Sequence, residues 1–234
     1  VYAFSRLVLD YQASLFDDLQ SLMRGQNELR LEVTFAIGEH LLPDILLNFS
    51  DKYPQYRIHS RMGYSRHIQT RLATGLSDIA LIEQAPDHPD ILVQKWLEDE
   101  LILACAPSHP LSDRRTISKQ QLIEQDFVLR EPKSSLRTIL DQKLNNYGIN
   151  ALPIALEVGS TDTIVEILSR GRHLSFLPKF AVEEALKNGE LRRLQVENLE
   201  IKIKLWIARN RSSIDNPVAE AFIQLLRKPS RSAQ

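Results

Sequence analysis

Apolar residues recur at spacings of three and four over the first 24 positions: Phe4, Val8, Tyr11, Leu15, Leu19 and Leu22, with neither Pro nor Gly before Gly25. The spacing predicts one helix, about 36 Å long at 1.5 Å per residue. Its apolar stripe is narrow, as in a coiled-coil seam, which suits either packing on its own domain or pairing between subunits. Gly25-Gln26-Asn27 is its stop.

Strand and helix patterns then alternate. Leu29–Val33 reads as a strand, and Glu39–Lys52 as a helix with Leu41, Leu42, Ile45, Leu46 and Phe49 on one face. Tyr53-Pro54 breaks it, Tyr56–Ser60 is strand-like, and Ser65–Thr74 is a helix carrying Ile68 and Leu72, capped by Gly75. Ile79-Ala80-Leu81-Ile82 has the continuous apolar character of a strand buried on both faces. Two βαβ units of this kind predict a mostly parallel sheet with helices on its faces. Ala85–Pro89 is a loop, and Leu101–Ala106 a strand that ends at Pro107. Strands follow at Phe127–Leu129, Ile154–Val158, Leu174–Leu177 and Ile201–Ala208, with helices at Ser134–Tyr147, Thr161–Ser169, Lys179–Lys187 and Pro217–Arg227. The α/β unit therefore occurs once before about residue 103 and once after it, which predicts two similar lobes, joined by extended strands, with a cleft between them.

Composition narrows the chemistry. Across 234 residues, 29 Lys and Arg balance 30 Asp and Glu, so a dedicated nucleic-acid surface is not expected within this chain. Cys105 is the only cysteine, which excludes an intrachain disulfide and a cysteine-built zinc site. It sits in an apolar strand, where a buried inert thiol is the default and a redox role the alternative. No run reaches the roughly 18 apolar residues of a membrane span. No basic and apolar export signal opens the chain, so a cytoplasmic location is expected. The chain begins at Val1 and not at a methionine, which implies a fragment or processed form.

Ligands in open α/β sheets bind beyond the carboxyl ends of strands, where helix N-termini present unpaired N–H groups. Four such junctions are visible: 34–38, 63–66, 130–135 and 159–162, two in each lobe and each offering hydroxyls or small residues. Converging on one cleft, they suit a small anion or polar metabolite. Alternatively, Ser65, Ser134 and Ser160 are plain helix caps worth about 1 kcal/mol each. Enzyme signatures are missing. Ser65, His67 and Asp78 supply triad ingredients without a Gly-x-Ser-x-Gly elbow, and neither a Gly-x-Gly-x-x-Gly nor a Gly-x-x-x-x-Gly-Lys-Ser/Thr loop occurs. The six histidines form no compact ligand cluster in sequence, so no metal site is expected. Glu83, at the end of an apolar strand, reads as a solvated strand end or as an acid or base.

Several stretches, in order, resemble one family. Residues 29–43, from Leu29 to Pro43, are similar to the opening of the effector-binding domain of LysR-type transcriptional regulators. Leu72–Ile82 resembles that family's L-x-x-G-x-L-D-x-A-L stretch, and Asp99–Leu111 its inter-lobe strand and P-x-H-P-L turn. Leu129–Arg137 is similar to R-E-P-G-S-G-T-R, with Lys133 where glycine is usual, and Gly171–Pro178 to G-x-G-I-x-F-L-P, with Arg172-His173 at the second glycine. The likeness covers nearly the whole chain.

The resemblance implies two Rossmann-like lobes of the type II periplasmic-binding-protein architecture, joined by two crossover strands and preceded by a linker helix. It implies a linker helix over residues 1–28, a first lobe of 29–103 with 207–229, a second lobe of 104–206, and a tail at 230–234. It further implies a helix-turn-helix before Val1, through which alone DNA would be bound, a homodimer or homotetramer, no enzymatic activity and no cofactor. The expected effector site uses Thr34 and Phe35, then Tyr64, Ser65 and Arg66 from the first lobe, with Arg130, Ser134, Ser135, Ser160 and Thr161 from the second. Ala36 stands where family pockets often carry a hydroxyl. Arg66 and Arg130 favour a carboxylate or inorganic oxyanion, unless either pairs with Glu83 or Glu131. A solute-binding protein of a transporter, which shares the fold, is the alternative.

Overall fold

The computed structural model describes residues 27–213 and 215–227. The helix expected over the first 24 residues and the tail from residue 228 lie outside the described residues.

Strand β1 (Glu28–Val33) points Leu29, Leu31 and Val33 into the core, where none is more than 1% exposed. It pairs in parallel with β2 (Arg57–Met62) on one side and β3 (Ile79–Ile82) on the other. All four residues of β3 are buried, as its unbroken apolar run requires. Its alternation divides them between two faces. Ile79 and Leu81 join the core under α2 (Leu42–Lys52) and α8 (Pro217–Arg227), where Phe49 meets Phe222 edge-on at 5.6 Å. Ala80 and Ile82 pack beneath Ile68 and Leu72 of α3 (Ser65–Ala73).

The single helix expected over Glu39–Lys52 is two helices, α1 (Phe35–His40) and α2, with the break at Leu41. Pro43 explains it: proline has no N–H to give the carbonyl of residue 39, and its ring would collide with that carbonyl. The stop after α3 is as expected. Gly75 adopts φ +74°, and its N–H and that of Leu76 bond back to Leu72 and Arg71.

The sheet is mixed and not mostly parallel. Strands β4 (Ile91–Cys105) and β10 (Ile201–Asn210) form a long antiparallel ladder through the middle, with a register shift between Leu205 and Trp206. β10 also pairs antiparallel with β3. β4 parts from β10 after Leu101; from Leu101 it pairs antiparallel with β8 (Ser175–Pro178), and from Leu103 with β9 (Arg192–Val196). These two strands thus run through both lobes. The β5 strand (Thr116–Ile117) lies parallel to β9, and β6 (Phe127–Arg130) parallel to β7 (Ile154–Val158). Helices α4 (Lys119–Ile123), α5 (Ser135–Asn146), α6 (Thr161–Arg170) and α7 (Lys179–Lys187) complete the second lobe. A core of Ile102, Ala104, Val128, Ile164, Leu168, Leu177, Val182 and Leu191 fills the space beneath α6 and α7.

Two buried polar staples hold the first lobe at the root of β3. The Asp78 carboxylate accepts the Arg30 backbone N–H at 2.8 Å and the Arg30 guanidinium at 3.0 and 2.6 Å. Glu32 accepts Arg71 Nε at 2.5 Å and the Ser77 hydroxyl at 2.9 Å. Asp78 is therefore committed to Arg30 and is not the third member of a triad with Ser65 and His67.

Candidate functional site

The carboxyl ends of β1, β2, β3 and β6 meet at one narrow cleft. Thr34, Phe35, Ala36, Gly63, Tyr64 and Glu83 line it from the first lobe, and Arg130, Ser134, Ser135 and Leu136 from the second. Three helices start there. Thr34, Tyr64 and Ser134 occupy the N-cap positions of α1, α3 and α5, and none of them uses its side chain as a cap. Helix starts carry N–H groups without intrahelical partners, so a ligand in the cleft finds donors on both sides. The Thr34 hydroxyl is buried beside the Glu83 carboxyl, and its Oγ1 makes no well-aligned hydrogen bond.

One wall is a stack. Phe35 packs against Tyr64 with ring centroids 5.2 Å apart, and the Arg130 guanidinium lies 5.5 Å from the Phe35 centroid on the second-lobe side. Arg130 is only 6% exposed and fully engaged. It grips Glu131 with two bonds of 3.0 Å and reaches the Thr161 hydroxyl at 3.2 Å. Burial pushes the Glu131 carboxyl up, but Arg130 and the Tyr64 hydroxyl outweigh it, and the net shift is downward. Tyr64 in turn is pushed up by burial and by the neighbouring Glu131.

The floor is Glu83. The expectation of a solvated strand end fails: Glu83 is 3% exposed and accepts the Ser135 hydroxyl at 2.7 Å. Burial raises its pKa, and hydrogen bonding from Ser135 and then Thr34 opposes that only in part. The carboxyl follows a strand with no exposed position, so the chain enters the interior before it turns, and this pattern was the available signal.

Of the ten residues expected at the site, Thr34, Phe35, Tyr64, Arg130, Ser134 and Ser135 line this cleft, and Thr161 joins through Arg130. Three lie outside the lining. Ser65 opens α3 with a buried, unpartnered hydroxyl, Arg66 is exposed, and Ser160 caps α6 by accepting the Thr163 N–H at 3.4 Å. Among the three serines that could have been plain caps, only Ser160 makes a side-chain cap bond. Lys133 is exposed. Cys105 is buried, and burial pushes its thiol up to about 11, which leaves it inert at neutral pH. His109, from the P-x-H-P-L turn, serves that turn: its Nδ1 accepts the Leu111 N–H at 3.1 Å.

The absence of a ligand cluster in sequence also needs revision. Glu39 and His40 of α1 meet Asp162 of α6 across the lobes, with candidate ligand atoms within 4.8 Å of one another. No helix among the described residues is long and apolar enough to cross a membrane.

Comparison with known proteins agrees with this geometry. Residues 24–230 match the LysR substrate binding domain. The chain is 31% identical over 211 residues to a "Probable RuBisCO transcriptional regulator" of Cyanidium caldarium, covering 88% of this chain and 66% of that protein. It is 27% identical over 218 residues to the HTH-type transcriptional activator CmpR of Synechocystis, covering 93% of this chain and 70% of that protein. The chain thus spans about two thirds of the length of these relatives. Among solved structures, the Synechocystis CcmR regulatory domain in complex with 2-PG superimposes with a TM-score of 0.76 at 22% identity, over 85% of this chain and 95% of that one. The effector binding domain of QuiR in complex with shikimate gives 0.72 at 20% identity, over 85% and 94%. Family match and fold agree, and the chain belongs to the LysR family, as a LysR substrate-binding domain.

Proposed function

We propose that this chain is the ligand-sensing domain of a LysR-type, DNA-binding transcriptional regulator, with its effector seated between Thr34, Phe35 and Tyr64 on one side and Ser134 and Ser135 on the other. The observation that carries the proposal is a cleft lined from both lobes in which three helix starts leave their side-chain caps unused and the buried Thr34 hydroxyl has only the Glu83 carboxyl beside it. In this reading residues 1–28 are the linker helix, 29–103 with 207–229 the first lobe, and 104–206 the second. DNA is bound through a helix-turn-helix N-terminal to this chain, in a homodimer or homotetramer. The relatives are regulators, which favours this reading over the transporter solute-binding protein.

The chemistry of the cleft defines its guest. Arg130 is paired with Glu131, and Glu83 adds a second carboxyl, so the lining carries no surplus positive charge. A small hydroxylated acid suits this cleft when Glu83 is protonated and donates a hydrogen bond from its O–H to a ligand oxygen. Burial favours that state. A ligand touching both lobes shifts their arrangement only by its difference in affinity for the two states, typically about 1–3 kcal/mol. The linker helix then carries the changed geometry to the DNA-binding modules.

The test is a thermal-shift screen of the chain against inorganic oxyanions, small carboxylates and aromatic acids, with 2-PG and shikimate among them. A concentration-dependent rise with one class, lost in the Ser134→Ala/Ser135→Ala double variant, supports the proposal. Unchanged affinity in that double variant removes this junction from the site.

A further inference from the structure

A second cluster bridges the same two lobes and takes no part in the effector cleft. Glu39 and His40 end α1, and Asp162 lies in the first turn of α6. His40 Nε2 is 3.3 Å from an Asp162 carboxylate oxygen and 4.0 Å from Glu39 Oε2. Glu39 Oε2 also accepts the Thr161 backbone N–H at 3.1 Å, which fixes that carboxylate across the lobes. The His40 side chain is only 15% exposed, and its Nε2 is fully buried and makes no hydrogen bond, although two carboxylate oxygens flank it. Neither oxygen lies where a ring N–H would donate.

A cation accounts for what a hydrogen bond does not. Two carboxylates and a neutral imidazole bring a charge of −2 to the three ligand atoms, and this is a donor set that zinc takes with a water as fourth ligand. Tetrahedral coordination at zinc–nitrogen and zinc–oxygen distances near 2.0–2.2 Å puts ligand atoms about 3.3 Å apart. His40 and Asp162 already stand at that separation, and Glu39, 4.0 Å from His40 and within 4.8 Å of Asp162, reaches it with a side-chain movement of up to about 1.5 Å. We propose that Glu39, His40 and Asp162 form an inter-lobe site for a divalent transition-metal ion of the zinc class, with the ion tying α1 to α6. Because Thr161 also contacts Arg130, the ion would hold the second-lobe wall of the cleft in place.

Calorimetric titration of the full chain with zinc chloride tests this. One zinc per chain is expected. His40→Ala and Asp162→Asn should each weaken it by at least about tenfold, the loss typical of even an outer-shell partner. His59→Ala and His88→Ala, each beside a different carboxylate, should bind as the parent does. Asp162 is 66% exposed, so its variant should keep the metal-free melting temperature of the parent. No binding at millimolar zinc, or binding unchanged in Asp162→Asn, overturns the proposal.

Discussion

The Ser135 hydroxyl donates to the Glu83 carboxyl across 2.7 Å, joining the turn after β3 to the first turn of α5, 52 residues later in the chain. Both groups are buried, and the bond is part of the cleft floor.

The burial of Glu83 makes the cleft sensitive to pH, with a defined sign. Burial raises the Glu83 pKa, so the folded chain holds its proton more firmly than the unfolded one. Stability from this group is fully present below its unfolded value and is lost as pH rises through the raised folded value. Glu83→Gln keeps an acceptor for Ser135 and removes that slope. Urea titrations at several pH values should show the difference between parent and variant growing with pH until Glu83 is ionised. An acidic effector should also lose affinity over the same range in the parent alone, read by calorimetry.

Ser135→Ala leaves the Glu83 carboxyl with only the poorly aligned Thr34 hydroxyl beside it. A cost of about 1–3 kcal/mol is expected from urea denaturation, the range for a buried polar group that loses its partner.

Asp78 belongs to the scaffold. Its carboxylate takes both the backbone and the guanidinium of Arg30, and it is only 5% exposed. Asp78→Ala leaves the partly buried Arg30 guanidinium without its carboxylate and should cost about 1–3 kcal/mol in a denaturant melt. Any residual folded protein should still bind the effector, because Asp78 does not line the cleft.

Cys105 should be silent. With the thiol pushed up to about 11 and no exposed surface, reaction with a thiol reagent at pH 8 should be undetectable in the folded chain and complete in denaturant. Fast modification of the folded chain would return Cys105 to the list of redox candidates.

How much was legible in the sequence depended on what each residue's neighbours could reveal. The runs Ile79–Ile82, Ile154–Val158, Lys179–Lys187 and Pro217–Arg227 read at their true bounds, because apolar periodicity within each element settles it. β4 was read ten residues short. Its first part carries Lys95, Glu98, Asp99 and Glu100, and a crossover strand open to solvent is held by the backbone ladder to β10 and not by apolar side chains. β9 alternates Arg192, Arg193, Leu194, Gln195 and Val196, too few apolar positions to stand out. The start of α4 is written in the sequence as the Ser118–Gln121 capping box. At the site, the junction rule placed Thr34, Tyr64 and Ser134 near one another. It could not place Glu83, whose burial depends on Ser135, or the Glu39–His40–Asp162 cluster, whose members meet only when the lobes face each other.

The central claim rests most directly on Thr34. Thr34→Val keeps the shape of the side chain and deletes its buried hydroxyl, which has the Glu83 carboxyl beside it. If that hydroxyl is there for a ligand, affinity falls while the ligand-free fold is kept. Ligand-free stability should change by less than about 1 kcal/mol, since only a poorly aligned contact with Glu83 is lost. The affinity for the stabilising ligand, by calorimetry on the same preparations, should fall about tenfold, which corresponds to about 1.4 kcal/mol. An unchanged affinity in Thr34→Val would contradict effector binding in this cleft.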